Sequence, residues 1–247
     1  MPTDLDFNSR ILTRAGGAGA GVAMMLAQMG ASPYFFSLVG ADEDGRSMIN
    51  EFRESGIVTS YIQPHYSINP SCVSILGSSS RQIYIDQSNL DDPILTPKIE
   101  QWLDSCGSLY VYATTPPWAS SAVRAAKTVG KKIIVDIQTS YLDESIEPFI
   151  IDSEIVIFSA EYLKTEIGLK KAIMIRDKYS CDVIMSQGHR GCWLASHSEI
   201  KPTWHPQSIH VNIEPGYAIG AGDAFGAGLV FALREVDPMP WTVFLES

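Results

Sequence analysis

The feature that most restricts the fold is an alternation of short apolar runs with helical segments in the second half of the chain. Each run is typical of a buried strand, and the runs are 109–112, 133–136, 155–158, 182–185 and 192–195. Helical patterns lie between them, at 119–129 and over roughly 160–178. Strands that alternate with helices form right-handed crossovers and a mostly parallel sheet covered on both faces. The sequence therefore predicts a three-layer α/β/α fold.

Composition and charge exclude several classes of function. The chain has 247 residues, of which 45% are hydrophobic, and its formal net charge is −10 at pH 7. This excess of acidic residues argues against a surface for nucleic acid or for an anionic membrane. No apolar run approaches the roughly twenty residues of a membrane span, and the first residues are acidic where a signal peptide is basic. We expect a single domain over 1–247 in a cytoplasmic protein.

A different pattern interrupts the alternation between residues 61 and 87. Short runs at 61–63, 72–76 and 82–86 are separated by turn residues, which predicts a small antiparallel sheet. Together with a short strand at about 9–14, we expect it to form a β-lid that excludes water from a reactive site. Its exposed edge could also pair with a second copy, giving a homodimer.

Near the C-terminus, the turn Gly220-Ala221-Gly222-Asp223 opens into an apolar helical run. The first N–H groups of a helix have no partner within the helix, and the helix dipole adds positive potential, so this turn predicts an anion site. A carboxylate beside such a site suits a general base that takes a proton next to a developing phosphoryl charge. The alternative is that Asp223 caps the helix and the glycines only pack it.

Further polar residues follow the predicted strands. The carboxyl ends of parallel strands meet at one edge of a sheet, where ligands of α/β proteins bind. We therefore expect these residues at the same edge as the turn before Asp223. They are Asp136, Ser159, Glu161 and the turn Ser186-Gln187-Gly188-His189-Arg190-Gly191.

Four glycine motifs follow one another in a characteristic order: Gly16-Gly17 before an apolar helix, Gly40-x-Asp42-x-x-Gly45, Ser186-x-Gly188-x-x-Gly191 and Gly220-Ala221-Gly222-Asp223. This order resembles the ribokinase-like (PfkB) family of sugar and nucleoside kinases, over about residues 15 to 234. The resemblance implies a ribokinase-like fold. It also implies a kinase that uses ATP and Mg²⁺ to phosphorylate a hydroxyl of a small sugar or sugar derivative.

The resemblance also implies a role for each motif. Asp223 would be the base, and the amides of Gly220, Ala221 and Gly222 would form the anion hole. Ser186, Gly188 and Gly191 would follow the nucleotide phosphates, and Gly16 and Gly17 would belong to the sugar pocket. The Asn-x-x-Glu motif, which orders Mg²⁺ through water in many members, reads Ser159-Ala160-Glu161 here, and some sugar kinases resemble this version. Glu161 would then take the metal-ordering role.

The sequence departs from the family pattern at both ends. Members open with a strand that ends in an acid holding the sugar hydroxyls, but no apolar strand precedes Asp4 and Asp6, and the asparagine common after the glycine pair is Gly21. The helices that complete the adenine pocket have no match before Ser247. The kinase remains the leading interpretation, and these departures leave open an alternative, a shortened and weak or inactive relative that acts as a binding or interaction protein.

A third interpretation starts from the same N-terminal glycines. Gly17 and Gly19 match the first two positions of the dinucleotide motif G-x-G-x-x-G, but the third position is Val22. A nicotinamide-dependent oxidoreductase is therefore the least favoured of the three interpretations.

Overall fold

The computed structural model describes residues 13–76, 81–86, 103, 107–113, 117–138, 144–207 and 220–235. The strands are β1 (Ser37–Gly40), β2 (Ile62–Tyr66), β3 (Ser71–Leu76), β4 (Arg81–Asp86), β5 (Ser108–Tyr112), β6 (Lys132–Asp136), β7 (Ile155–Ser159), β8 (Asp182–Ser186), β9 (Gly191–Ala195) and β10 (Thr203–Pro206). The helices are α1 (Ala18–Gln28), α2 (Glu43–Glu54), α3 (Pro117–Thr128), α4 (Glu147–Ile150), α5 (Thr165–Tyr179) and α6 (Ala221–Glu235), with a 3₁₀ turn at Gly188–Arg190.

Six strands form one sheet in the order β10-β9-β8-β7-β6-β5. Neighbours from β5 to β8 are parallel, whereas β9 is antiparallel to β8 and to β10. The parallel strands are apolar on both faces; in β6, for example, Ile133, Ile134 and Val135 are fully buried. Such runs are expected where helices cover a sheet on both sides. The predicted mostly parallel sheet is confirmed.

Helices pack on both faces of this sheet and give the three predicted layers. On one face, Val123 of α3 and Ile175 of α5 share a core with Val135. On the other face, Leu229 of α6 shares a core with Ile134. Successive residues of one strand point to opposite faces, so β6 contributes to both cores. None of the helices in the described ranges is long and apolar enough to cross a membrane.

Two smaller sheets lie outside the six-stranded sheet. β1 and β2 are parallel strands joined through α2, and Val39 and Phe52 share a core there with Ala23 of α1. β3 and β4 form an antiparallel pair in which Val73 lies opposite Tyr84. The antiparallel sheet predicted within 61–87 is thus confirmed for β3 and β4.

The prediction was wrong for 61–63. Ile62 and Gln63 belong to β2, which pairs in parallel with β1 because α2 returns the chain in the direction of β1. A short apolar run does not reveal which strand it pairs with. Of the strand predicted at 9–14, residues 9–12 lie outside the described part of the chain, and Thr13 and Arg14 belong to no strand.

The Gly40-x-Asp42-x-x-Gly45 motif forms the turn between β1 and α2. Asp42 is the N-cap of α2: its carboxylate accepts from the N–H groups of Gly45 and Asn69, each at 2.9 Å. The side chain of Asn69 accepts in turn from the N–H of Gly40 at 2.9 Å. A Cβ at Gly45 would overlap the carbonyl of Gly40. The motif therefore joins α2 to the segment that enters the β3–β4 pair.

The carboxylate of Asp42 should make the stability of the fold dependent on pH. The N–H of Asn69, followed by that of Gly45, lowers the pKa of Asp42 below its ordinary value of 3.8. A lowered pKa stabilises the folded state above the unfolded-state value, and this contribution is lost as the pH falls through the folded-state value. Asp42→Ala should therefore lower Tm at pH 7, and the difference from wild type should shrink between pH 4 and pH 3 in calorimetry. A difference in Tm that stays constant over this range would contradict the prediction. Asp44→Ala is the control, because it removes an acid from the first turn of α2 but leaves the N-cap in place.

Candidate active site

Helix α6 begins at a glycine turn with an open backbone. Gly220 has a φ of +87°, and its carbonyl accepts from the N–H of Ala224 at 2.8 Å. The N–H groups of Ala221 and Gly222 precede this first helical bond and have no acceptor within the helix. Both residues are exposed, and a Cβ at Gly222 would meet no atom within 4 Å. This end of α6 therefore offers an anion both space and backbone donors.

The carboxylate of Asp223 lies against the first turn of α1. A Cβ at Gly21 would overlap its Oδ2 and would lie 2.7 Å from its Cγ, so this approach requires glycine at position 21. Gly17, the N-cap of α1, has a φ of +105°, and both Gly16 and Gly17 face open space. Two helix N-termini thus meet at a half-buried carboxylate, and both dipoles favour negative charge there.

A second carboxylate, Asp136, lies at the end of β6. The hydroxyl of Tyr110 donates to its Oδ2 and the N–H of Gln138 donates to its Oδ1, each at 2.8 Å. Burial raises the pKa of Asp136, while the two hydrogen bonds oppose that rise. Burial, and after it the charge of Asp136, raises the pKa of Tyr110 far above its ordinary value, so the phenol remains protonated.

Tyr110 connects Asp136 with α6. A Cβ at Gly226 would lie 2.6 Å from the hydroxyl oxygen of Tyr110 and 3.0 Å from its ring. Burial is the largest cause of the raised pKa of Tyr112, and the charges of Asp136 and Asp223 add to it. The structure therefore brings two carboxylates and two phenols together at the carboxyl edge of the sheet.

A cavity of about 1520 Å³ lies beside these groups, between α1, β1 and β5. Gly16, Gly17, Tyr110 and Tyr112 contribute to its lining, but Asp223 does not. Among the described strands, β1 pairs only with β2 and β5 only with β6, so the cavity separates two strand edges. It exceeds the roughly 300–1,000 Å³ of an ordinary ligand pocket. A small ligand would therefore fill only part of it.

The turns after β7 and β8 lie at the same edge of the sheet. Parallel pairing places Ser159 opposite Ser186, as expected for residues at the ends of parallel strands. Gly188 has a φ of +60°, and a Cβ there would lie 2.9 Å from Oε1 of Glu161. The side chain of Arg190 donates to the backbone carbonyl of Glu161 at 3.3 Å. These two contacts place Glu161, whose side chain is exposed, directly beside the turn after β8.

Gly191 and Gln187 explain the shape of this turn. Gly191 has a φ of +118°, and a Cβ there would overlap the carbonyl of His205 in β10, so glycine permits the close β9–β10 pairing. Gln187 is buried; its side chain donates to Thr165 at 3.0 Å, and its N–H donates to the carbonyl of Gly191 at 2.8 Å. The turn is therefore anchored to the start of α5.

Sequence patterns did not single out Tyr110 or Asn69, and they named Gln187 only as part of the turn after β8. Tyr110 stands in an apolar run, where a tyrosine is typical of a half-buried core position. A usable signal existed, because Asp136 ends the neighbouring parallel strand, and an acid at that end needs a nearby donor when it is buried. The partners of Gln187 and Asn69 are 22 and 29 residues away in the chain, so no local motif records them.

Comparisons with known proteins identify the family of the chain. The model of the pfkB family of carbohydrate kinases matches residues 4–241. The chain is similar to the ribokinase of Haemophilus influenzae, with 26% identity over 235 residues, or 89% of this chain and 74% of that protein.

Solved structures share the fold. A putative ribokinase from Agrobacterium tumefaciens superposes with a TM-score of 0.80 at 20% identity, covering 99% of this chain and 81% of that one. An uncharacterized sugar kinase from Pyrococcus horikoshii, in complex with ATP, gives a TM-score of 0.70 at 18% identity, covering 93% and 78%. At these identities the likeness establishes the architecture.

Proposed function

The chain belongs to the pfkB family of carbohydrate kinases, and on that basis we propose that it transfers the γ-phosphoryl group of ATP to a hydroxyl of a small sugar or sugar derivative. The main support is the location of the Asp223 carboxylate, between the open glycine turn of α6 and the glycine-rich start of α1. Phosphoryl transfer to an alcohol needs a base and a preorganised site for negative charge at one point.

In the proposed reaction, Asp223 takes the proton of the sugar hydroxyl while the hydroxyl oxygen attacks the γ-phosphorus. The new oxygen–phosphorus bond forms as the bond to the β,γ-bridging oxygen breaks, and ADP leaves with that electron pair. The amides of Gly220, Ala221 and Gly222 stabilise the charge on the transferring group. These donors are fixed by the helix before the substrate arrives, which lowers the barrier without reorganisation during the reaction.

The acceptor sugar is proposed to occupy the part of the cavity nearest Gly16, Gly17 and Tyr110. A Cβ atom built on either glycine would meet no atom within 4 Å, so sugar hydroxyls can approach the backbone there. We propose that the segment 61–87, together with 9–14, acts as the lid over this region. Closure would exclude water, which would otherwise compete with the sugar for the phosphoryl group.

The nucleotide phosphates are proposed to follow the turn formed by Ser186, Gly188 and Gly191, beside Ser159 and Glu161. The positive φ values at Gly188 and Gly191 shape this turn beside Glu161 at the carboxyl edge of the sheet, and the Pyrococcus horikoshii structure shows ATP bound to this architecture. Within the described residues, no group of three or more His, Cys, Asp or Glu side chains could hold a metal. We propose that Mg²⁺ arrives on the nucleotide, where Glu161 would order it through water and the metal would neutralise phosphate charge.

The proposal is tested by a panel of acceptors. Ketoses, pentoses and nucleosides are incubated with Mg²⁺ and ATP, and ADP release is followed together with the melting temperature. We expect one acceptor to drive ADP release and Mg²⁺-ATP to raise Tm, since a ligand at a hundred times its Kd stabilises by about 2.7 kcal/mol. A nucleotide shift without turnover would instead support a binding or interaction protein. Stabilisation by nicotinamide cofactors alone would contradict the proposed kinase activity.

We further propose that the β3–β4 pair joins two copies of the protein in the cytoplasm, where ATP is available. Val73 and Tyr84 lie opposite each other, and they and Ile83 are exposed although they are large and apolar. Exposed apolar strands of this kind favour pairing. Sedimentation should show a dimer, and Val73→Glu should convert it to a monomer. A monomeric wild-type protein would contradict the proposal.

A further inference from the structure

Tyr110 is a half-buried phenol that borders the proposed sugar region and exchanges no proton in the proposed reaction. It lies in the middle of β5, its hydroxyl reaches the carboxylate of Asp136 at the carboxyl edge of the sheet, and its ring lies beneath α6. Its position between the sheet and the helix that carries Asp223 suggests a mechanical role.

On the sheet side, Asp136, the acceptor of the Tyr110 hydrogen bond, is itself fixed by a second hydrogen bond. Asp136 accepts from Tyr110 through one oxygen and from the N–H of Gln138 through the other. Gln138 has a φ of +50°, and its carbonyl accepts from the N–H of Ser159 at 2.7 Å. The position of the hydroxyl is therefore fixed relative to the C-terminal ends of two parallel strands, β6 and β7.

On the helix side, the same phenol supports α6. Gly226 lies three residues after Asp223, on the same side of the helix. Since a Cβ there would lie 2.6 Å from the Tyr110 oxygen, the helix backbone rests directly on the hydroxyl. Tyr110 also packs with Val230 of α6 and with Val22 of α1, the helix that the Asp223 carboxylate touches. The phenol thus fixes the distance between α6 and the sheet.

We propose that the Tyr110–Asp136 pair positions the catalytic base. The pair holds the first turn of α6 at the distance from the sheet at which the Asp223 carboxylate is directed at the acceptor hydroxyl. The inference rests on the proposed function, because it concerns the orientation of the proposed base. Neither residue of the pair exchanges a proton with substrate. The hydrogen bond is what matters, and a neutral amide in place of the carboxylate preserves it with donor and acceptor exchanged.

The test separates the hydrogen bond from the charge. Tyr110→Phe removes the hydroxyl and Asp136→Ala removes its acceptor; each should lower kcat about ten- to a hundredfold, as expected for a displaced reacting group, with KM for ATP unchanged. Asp136→Asn can direct its amide NH₂ to the Tyr110 oxygen and its carbonyl to the N–H of Gln138, so it should keep most of the activity. Tyr179→Phe is the matched control, because it removes a 3.0 Å bond from a tyrosine to Glu147 on another helix.

A second measurement does not depend on turnover. Hydrogen exchange at the amides of residues 224–228 should accelerate in Tyr110→Phe and Asp136→Ala, and should stay at the wild-type rate in Asp136→Asn and Tyr179→Phe. Wild-type exchange and kcat in Tyr110→Phe, or equal losses in the two Asp136 variants, would overturn the proposal. If the wild-type protein phosphorylates no acceptor, the proposed function fails, whereas the exchange rates still decide whether the pair holds α6.

Discussion

Asparagine in place of Asp223 should lower kcat by about three orders of magnitude, which is within the range that a general base contributes. The amide cannot take the proton of the sugar hydroxyl, so the attacking oxygen remains protonated. Binding of Mg²⁺-ATP should be preserved, because the proposed phosphate contacts come from backbone amides of the glycine turn. The stabilisation of the protein by Mg²⁺-ATP should therefore remain, and the loss should appear in kcat.

The same substitution distinguishes a base from an acid that only stabilises the helix. Asp223 is the third residue of α6, where a carboxylate favours the helix N-terminus by about 0.3–1 kcal/mol, so an Asp223 with only that structural role would tolerate the change. Activity within tenfold of wild type would thus contradict the proposed role. Asp177→Asn is the control: this carboxylate is exposed on α5, where it pairs with Arg176 at 2.7 Å, and its loss should leave ADP release unchanged.

The central sheet could be predicted from the sequence because its signal is local. Each strand from β5 to β9 is an apolar run, and the predicted 133–136 and 182–185 differ from β6 and β8 by one residue at an end. The edge on which Asp136, Ser159 and Ser186 meet follows from parallel order alone. Residues 203–206 give no comparable signal, since Trp204 and His205 form β10 only by pairing with β9.

The interior of the site could not be predicted in the same way. From the sequence alone, Gly21 is a departure from the family pattern, because an asparagine is common at this position. The structure shows what glycine permits at this position, namely the approach of Asp223 to the backbone of α1. That contact joins residues about two hundred positions apart, and it depends on how two helices pack. Helix packing is fixed by side chains from several elements and leaves no periodic pattern in either segment.

Alanine in place of Gly21 should therefore reduce activity without weakening the fold. The added Cβ would overlap Oδ2 of Asp223 and would force the carboxylate to rotate away from α1. Since a misplacement of about 1 Å can cost a hundredfold in rate, we expect kcat to fall about a hundredfold. Stability should change little, because the roughly 1 kcal/mol by which alanine is favoured over glycine within a helix opposes the tight contact, 3.0 Å, of the added Cβ with the Cβ of Asp223.

The unequal sizes of these two effects, on activity and on stability, make the Gly21→Ala experiment informative. A general packing defect lowers Tm and activity together, whereas a displaced base lowers kcat while the melting curve holds. Gly19→Ala is the matched control on the same helix, because a Cβ there would lie 3.5 Å from Phe35, an ordinary contact. If Gly21→Ala keeps the wild-type kcat, the orientation of Asp223 against α1 is not the productive one, and the base must act from a different rotamer.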